Sequence, residues 1–232
     1  MALPTITIDD FVGWLKIVAN QFKEEDLDQY VLTFREQYLR QLVGAAAYTD
    51  IETQTRQKWT DLLDGVNYVD VDGNRCYHEG LVKPLIRFIY FEFVRDNFTA
   101  TQVGRVKGKS ENSERANDIE IANIARSRFN NGVLLLASTP DFLEANEEFS
   151  EEVTLSIDNL DNTYTLSIPN TKYLEARDTI TINEVEYQTI SVTANTSLVI
   201  DAGQTGLDFT GDQVIWEPYE DVEFCQIETA PI

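Results

Sequence analysis

Histidine is almost absent from this chain, which has a single one, His78. Catalytic Ser-His-Asp or Cys-His arrangements, and zinc sites built on imidazole, would all have to use that one residue. The nearest sulfur in the sequence belongs to Cys76, and two candidate ligands do not make a zinc site. We therefore expect His78 to be a packed or solvated side chain, and we expect no metal or other cofactor.

Long apolar runs are missing as well. The longest, residues 132–137, is far shorter than the roughly 20 residues that a membrane-spanning helix needs, so we expect no membrane partner. Cysteine is scarce too: Cys76 and Cys225 stand far apart in the sequence, and such a pair is more often two free thiols than a disulfide. Hydrophobic residues still make up 43% of the chain, which is ordinary for a protein with a folded core.

Basic side chains are rare in the last third of the chain. Residues 151–232 hold two basic and 16 acidic residues, a net charge of −14, whereas residues 1–150 hold 16 and 24, a net charge of −8. A chain of net charge −22 does not wrap nucleic acid by neutralising phosphates. The acidic surface either keeps the protein soluble, or it repels an anion or docks on a basic partner.

The first 150 residues have a helical pattern. Apolar residues recur at helical spacing, and they predict helices from Thr7 to about 18, from 24 to Gly44, 50–63, 81–97 and 113–137, then a short segment at 140–146. The helix at 81–97 is apolar on nearly all sides and should be the most buried. Asn130, Asn131 and Gly132 favour an interruption or a bend in the last long helix. Between residues 67 and 78 the pattern alternates around Asp72-Gly73, which predicts a β-hairpin with a two-residue turn.

After residue 150 the apolar period becomes two, which is typical of strands. Six strands are predicted, at 153–157, 164–168, 179–182, 185–190, 197–200 and 213–216. The predicted fold class is α+β: an N-terminal helical bundle of about five helices with one β-hairpin, followed by a small all-β barrel or sandwich. The predicted domains are residues 1–150, which are helical, and residues 151–232, which are acidic and β-rich.

A segment from Gly104 to Ser110 resembles a phosphate-binding P-loop. It has three residues between its glycines where the motif has four, and it follows a predicted helix where the motif follows a strand. No paired-acid arrangement stands out elsewhere in the sequence. We therefore expect a protein without catalytic residues, not an enzyme.

Four basic residues cluster in the polar stretch that follows the apolar helix. They are Arg105, Lys107, Lys109 and Arg115. The first three alternate, so in an extended chain they point to one side. One interpretation is a solvated loop; the other is a basic arm that docks on an acidic partner or on a neighbouring copy of the chain.

The helix at 81–97 and the stretch after it also carry a family resemblance. The aromatic run Phe88-Ile-Tyr-Phe-Glu-Phe, the Thr-rich stretch beginning at Thr99, and Glu111-Asn-Ser before a long helix resemble a signature of tailed-bacteriophage neck proteins. These proteins are head–tail adaptors or connectors of Bacteroides-type phages. The resemblance covers about residues 1–150, and the β region departs from the short helical pattern of such adaptors.

This resemblance implies a structural virion protein. Copies would form a ring, commonly of twelve, beneath the portal protein, in contact with it and with other neck or tail proteins. DNA would pass through the ring without sequence-specific binding, and an acidic channel wall would keep it from sticking. The implied location is the virion neck between capsid and tail, after assembly in the host cytoplasm.

A second hypothesis is a binding module whose β domain recognises a carbohydrate or a tail protein. Such a module should expose aromatic side chains on its sheet. The candidates are Tyr164, Tyr173, Tyr187, Trp216 and Tyr219, which are enough for a binding site but also enough for a core.

Overall fold

The computed structural model combines helices with antiparallel strands, so the α+β class is confirmed. It describes residues 3–15, 24–100, 106–107, 114–115 and 118–229. The chain divides into two compact units. Met1–Phe142 and Asp221–Ile232 form the first, here called the helical unit, and Leu143–Glu220 form the second, here called the β unit. The C-terminal residues thus group with the helices, although the sequence analysis placed them in the β-rich domain.

The helices and first strands occupy the chain up to residue 144. In chain order they are α1 (Glu24–Val43), α2 (Ala45–Thr53), α3 (Gln57–Asp64), β1 (Val66–Val69), β2 (Arg75–His78), α4 (Val82–Ala100), β3 (Val106–Lys107), β4 (Glu114–Arg115), α5 (Asp118–Leu135) and α6 (Ser138–Glu144). Helix α4 is the predicted apolar helix. Its side chains Leu85, Phe88, Ile89 and Phe93 are fully buried, and this burial agrees with its all-round apolar pattern.

Two of the helices predicted from the sequence are wrong in their extent. The described part of the first consists of two short 3-10 turns, Ile8–Asp10 and Gly13–Leu15, because Gly13 has a positive φ of 58° that a right-handed helix does not contain. The helix predicted at 50–63 is divided into α2 and α3. There Asp50 accepts a hydrogen bond of 2.6 Å from the indole of Trp59, which folds α3 back toward α2.

The hairpin of β1 and β2 is present, but its turn is longer than predicted. Val69 pairs with Arg75, so five residues connect the strands instead of two. Asp70 organises this connection, because its Oδ1 accepts hydrogen bonds from the backbone N–H groups of Asp72 (3.0 Å) and Asn74 (2.7 Å). An Asx-type turn of this kind replaces the tight turn that the Asp-Gly dipeptide favours.

The β unit is a single seven-stranded antiparallel sheet that curls into a half-barrel. Its strands are β5 (Phe149–Glu152), β6 (Leu155–Asp158), β7 (Thr163–Ser167), β8 (Thr179–Ile182), β9 (Val185–Thr193), β10 (Ser197–Asp201) and β11 (Gln213–Trp216), in the spatial order β5-β11-β8-β9-β10-β7-β6. The two outermost strands are consecutive in the chain and are separated by only Val153 and Thr154. Since so short a link joins opposite ends of the sheet, the sheet has to curl. Val153 is fully buried and belongs to the core of this unit.

The C-terminal segment completes the helical unit. The backbone N–H groups of Glu223 and Cys225 donate hydrogen bonds of 3.1 Å to the carbonyls of Val43 and Leu42. These carbonyls lie in the last turn of α1, where a helix has no partners of its own for them. Ile227 in the same segment is buried, with 6% of its surface exposed. The segment therefore caps α1 and also covers part of its core.

Candidate interaction surface

The predicted basic cluster lies in the connection between α4 and α5. The described part of this connection is a two-residue ladder, in which Lys107 pairs with Glu114 and Val106 pairs with Arg115. The sequence analysis singled out four residues here; Lys107 and Arg115 are in the ladder, while Arg105 and Lys109 lie outside the described residues. These two pairs run antiparallel, so the chain reverses direction between residues 107 and 114; the stretch that connects α4 to α5, residues 101–117, is here called the arm.

The two helices that carry the arm are packed closely together. An added Cβ on Gly132 of α5 would lie 2.7 Å from the ring of Phe88 on α4, which is closer than carbon atoms approach. Phe129 packs on the same ring, with centroids 4.8 Å apart. The absence of a side chain at Gly132 lets the helices touch, and α5 continues to Leu135, so the helix is not interrupted at residues 130–132. The arm therefore connects two helices, α4 and α5, that are tightly packed against each other.

Further basic side chains lie on these two helices. An open depression of about 350 Å³ on α5 is lined by Asn123, Arg126, Ser127, Asn130 and Asn131. The guanidinium of Arg87 on α4 lies close enough to Arg128 on α5 for the two like charges to repel each other. Burial, and then that neighbouring charge, lower the pKa of the Arg87 guanidinium. The two helices thus carry five basic residues in addition to the four that the sequence places between them, namely Lys83, Arg87, Arg95, Arg126 and Arg128.

A second polar cluster lies inside the helical unit, between α1 and α4. Tyr38 donates a hydrogen bond of 2.5 Å to Oε1 of Glu92, and Arg95 forms an ion pair of 2.5 Å with Oε2 of the same carboxylate. Arg95 also donates to Asp96 at 3.0 Å. Burial and then the bond to Glu92 raise the pKa of Tyr38 far above its usual value. The bond between Tyr38 of α1 and Glu92 of α4 links the two helices, so the cluster holds α1 against α4.

His78 is a packed side chain. Its ring is fully buried and stacks on Phe142 with centroids 4.5 Å apart. Nε2 lies 3.0 Å from the carbonyl oxygen of Leu62, and since a carbonyl only accepts, Nε2 carries the proton. Nδ1 lies 3.4 Å from Oγ of Ser138, which places the Ser138 hydroxyl as its donor. Both ring nitrogens are thus used within the helical unit, and the imidazole is neutral.

This environment gives the helical unit a pH-dependent stability. Burial lowers the pKa of His78, so the unfolded chain takes up a proton at a higher pH than the folded chain does. Stability is therefore present above the ordinary histidine pKa of about 6.5 and is lost as the pH falls below it. We expect the free energy of unfolding to decrease as the pH falls below about 6.5, with a slope of at most about 1.4 kcal/mol per pH unit for this one group.

Denaturant unfolding at several pH values measures this slope, and the chain's single histidine makes the assignment direct. A His78→Gln variant keeps a donor for the Leu62 carbonyl but does not titrate. It should be less stable at pH 7 and should have lost the slope in this range, which lies above the ordinary carboxylate pKa values near 4. A slope that persists in the glutamine variant would contradict the assignment to His78.

Within the described residues, the chemical motifs considered in the sequence do not have the structural surroundings that they require. The P-loop-like segment follows helix α4, and the next helix, α5, begins only at Asp118, whereas a P-loop joins a strand directly to a helix. Within the described residues, no three His, Cys, Asp or Glu side chains are grouped so as to hold a metal ion. In the same part of the chain, no helix has the length and apolar character to cross a membrane.

Most aromatic side chains of the β unit lie in its interior. Tyr164, Tyr173, Trp216 and Tyr219 have at most 7% of their surface exposed, and Tyr187 is half-buried. Trp216 stacks on Phe149 at 5.5 Å, and its indole N–H donates to the Lys172 carbonyl at 2.9 Å. Tyr164 and Trp216 belong to the core of the unit and Tyr187 packs against it, so these residues do not provide the exposed aromatic platform on which a sugar would stack.

One protein family matches the chain. The model of the Family of unknown function (DUF6712) aligns with residues 39–153, which is slightly less than half of the chain. The matched region runs from within α1 to Val153, the residue that follows β5, and includes the arm with the two helices that carry it. A search of curated proteins finds no significant match.

Proposed function

We propose that this protein is a structural virion component, a head–tail adaptor or connector of a tailed bacteriophage, and not an enzyme. Copies form a ring, commonly of twelve, under the portal protein in the virion neck, after assembly in the host cytoplasm. The partners are the portal and other neck or tail proteins, and DNA passes through the ring without sequence-specific binding. In this proposal the helices of the helical unit form a bundle that packs between neighbouring subunits, and the sheet of the β unit is a small barrel.

The observation that carries this proposal is the position of the arm. It is inserted between two helices that pack closely where the ring of Phe88 lies against Gly132, so a partner that binds the arm is joined to the core of the helical unit. A segment whose role was only to connect α4 to α5 would not need 17 residues, since helix–helix connections are commonly 2–8 residues long. The resemblance to phage adaptors rests on this same stretch.

The charge distribution supports the same function. The β unit holds 16 acidic and two basic residues, so it repels DNA that passes close to it. Nearly all basic residues belong to the helical unit, and nine of them lie in the stretch that comprises α4, the arm and α5. Basic and acidic surfaces on different parts of one molecule permit contacts between neighbouring copies, and such contacts can close a ring.

The alternative remains a binding module whose β unit recognises a tail protein or a carbohydrate. The burial of its aromatic side chains favours a protein partner over a sugar for that unit. A tail-protein partner is compatible with a position in the neck.

The proposal is tested by adding the purified protein to portal-bearing heads and imaging them by negative-stain microscopy. We expect a ring of density under the portal. The variant Arg105→Glu with Arg115→Glu should weaken binding at least about tenfold and change its salt dependence, because charges at an interface act on association. The matched control, Arg40→Glu with Arg177→Glu, changes the net charge equally at exposed positions outside the arm sequence, one in α1 and one in the β unit, and should bind as the parent protein does.

Three results would count against this proposal. Equal binding by the arm variant and the control would remove the arm as the docking element. A protein that neither binds portal-bearing heads nor occurs in purified virions would refute the function itself. Binding of the β unit to an isolated tail protein, without any ring at the portal, would favour the alternative.

A further inference from the structure

One outer strand of the β unit has an open edge. Strand β5 pairs with β11 on one side and with no other described strand. The N–H of Val153 donates to the carbonyl of Asp212, and its carbonyl accepts from Gly211, so these groups face β11. Since the backbone groups of successive residues alternate in direction, those of Ser150 and Glu152 face away from β11. Within the described residues no hydrogen bond is made to them there, and we call this side of β5 the open edge.

The opposite end of the sheet is covered. The N–H of Ser156 on β6 donates to Oγ1 of Thr210 at 3.2 Å, and the carboxylate of Asp158 accepts from the N–H of Gly206 at 2.8 Å. The loop that contains residues 206–210 thus lies where a further strand would pair with β6. The open edge of β5 is therefore the end of the sheet that is able to accept another strand.

The side chains along the open edge are acidic. Residues 147–152 hold four glutamates and no basic residue. In the part of the chain that the structure describes, none of these carboxylates forms an ion pair with a lysine or arginine. Lys172 lies over the ring of Phe149, but its ammonium group donates to Oδ1 of Asn146 at 2.9 Å. The glutamates therefore favour a basic segment as the strand that is added.

Their spacing makes this preference more specific. Phe149 pairs with Trp216 of the core, so the alternate residues Ser150 and Glu152 point to the outer face of the sheet. Glu148 precedes them in the same alternation. We call Glu148, Ser150 and Glu152 the edge row. A strand with a cation at every second position would place a positive charge opposite each glutamate of this row.

The arm contains such a strand. No acidic residue lies between Asp96 and Glu111, and residues 105–109 carry a basic side chain at every second position. With Lys107 opposite the hydroxyl group of the edge row, the other two cations stand opposite its two glutamates, whether the strands run parallel or antiparallel. The arm as a whole holds four basic and two acidic residues, and the acidic ones follow this segment.

The described strands indicate that the partner is a second copy. Strand β3 of the arm pairs with β4 in a sheet of its own, and β5 pairs with β11 in another. The described strand of the arm therefore does not fill the open edge of its own chain, and one side of β3 is left for a further strand.

We infer that the arm of one copy adds as a strand to the open edge of β5 in a second copy, with its alternating cations facing the edge row. The inference rests on the proposed function, in which copies stand next to one another, and it names the surface of the neighbour that the arm binds. Such a contact is heterologous, so a series of copies closes into a ring or extends as a filament. A five-residue strand buries far less than the roughly 800 Å² per partner of a stable complex. A single contact is therefore weak and becomes strong only in a closed ring.

The test is sedimentation velocity of the full chain from about 10 to about 500 µM, a range suited to weak contacts. The unmodified chain should show an average mass that rises beyond the dimer, and added salt should reduce it. The arm variant is Arg105→Glu with Lys109→Glu, and the edge variant is Glu148→Lys with Glu152→Lys. Each alone should stay monomeric, because its arm and its open edge then carry charge of the same sign.

Mixing the two variants distinguishes this contact from other kinds. In an equimolar mixture acidic arms meet lysine edges and basic arms meet glutamate edges, so association should return. A chain that carries all four substitutions should associate by itself for the same reason. Misfolded variants would not be rescued in either way. Glu186→Lys with Glu228→Lys changes the net charge as the edge variant does, at exposed positions outside β5, and should associate as the unmodified chain does.

A further variant tests the hydrogen bonds of the added strand. The N–H of Ser150 faces away from β11, so Ser150→Pro keeps the pairing with β11 and removes one donor from the open edge. Association should weaken at least about tenfold, while the melting temperature of the chain stays close to that of the matched control, Ser150→Thr. A folded proline variant that associates as the control does would show that no strand is added at this edge.

Other outcomes would also overturn the inference. These are an unmodified chain that stays monomeric at every concentration, an arm or edge variant that still associates alone, or a mixture that remains monomeric. The portal experiment decides the proposed function separately. A complete ring of the edge variant on portal-bearing heads would leave that function standing without this contact, whereas the expected self-association in a protein absent from virions would do the reverse.

Discussion

Replacing Gly80 with alanine is expected to lower the free energy of unfolding of the helical unit by about 3 kcal/mol or more. Gly80 has a φ of +76°, and an added Cβ would lie 2.4 Å from the carbonyl oxygen of Leu63 and 2.6 Å from the carbonyl carbon of Asp64. Gly65, with a φ of +91°, makes the reciprocal approach, 2.5 Å from the carbonyl oxygen of His78. Both obstacles are backbone atoms, so relief requires the end of α3 to move away from the end of β2.

The control for this prediction is Gly73→Ala. Gly73 has a similar positive φ of +85°, but nothing lies within 4 Å of its added Cβ. The alanine there bears only the conformational strain of a left-handed backbone, about 1–2 kcal/mol. Chemical denaturation of the two variants measures the difference directly, and equal losses would show that the close approach of the two glycine segments is not a constraint.

Phe88→Ala should be about as damaging, with an expected loss of about 3–5 kcal/mol. The Phe88 ring is fully buried and lies against Tyr38 at 5.0 Å and Phe129 at 4.8 Å. Its edge also fills the space that Gly132 leaves open. Truncation therefore opens a cavity at the point where α1, α4 and α5 meet, and a rigid contact between two helices cannot collapse to fill it.

Two further variants calibrate this measurement. Phe91→Ala removes a ring of the same size that is only half-buried, so its effect should be smaller. Leu134→Ala removes a side chain that is 68% exposed and should change stability by no more than about 0.5 kcal/mol. If Phe88→Ala cost less than about 1 kcal/mol, helix α4 would not be the centre of the core.

The sequence by itself determined the elements whose signals are local. Helix α1 ends at Val43, immediately before Gly44, where its apolar stripe stops, and α4 is buried on most sides as its composition predicts. Strands β8 and β11 lie at the predicted positions, 179–182 and 213–216, because each is a short run rich in β-branched or aromatic residues between turn residues. The higher negative charge of residues 151–232 could also be read from the sequence, because it depends on composition alone.

Strand β5 was missed because its sequence, Phe149-Ser-Glu-Glu, lacks the alternating apolar residues by which a strand is recognised. It becomes a strand because β11 offers it a hydrogen-bonding edge. The division of one predicted helix into α2 and α3 likewise depends on the hydrogen bond from Trp59 to Asp50. Helical periodicity in the sequence does not predict such a contact.

Only the tertiary structure decided what the chemically suggestive residues do. A lone histidine is ambiguous in a sequence, and the stacking of His78 on Phe142 joins residues that lie far apart in the chain. The aromatic residues of the β unit could have lined either a binding site or a core, and the fold places Tyr164 and Trp216 in the core. The cap that Glu223 and Cys225 place on α1 joins nearly opposite ends of the chain. Local pattern fixes which face of an element is apolar, whereas long-range packing decides what covers that face.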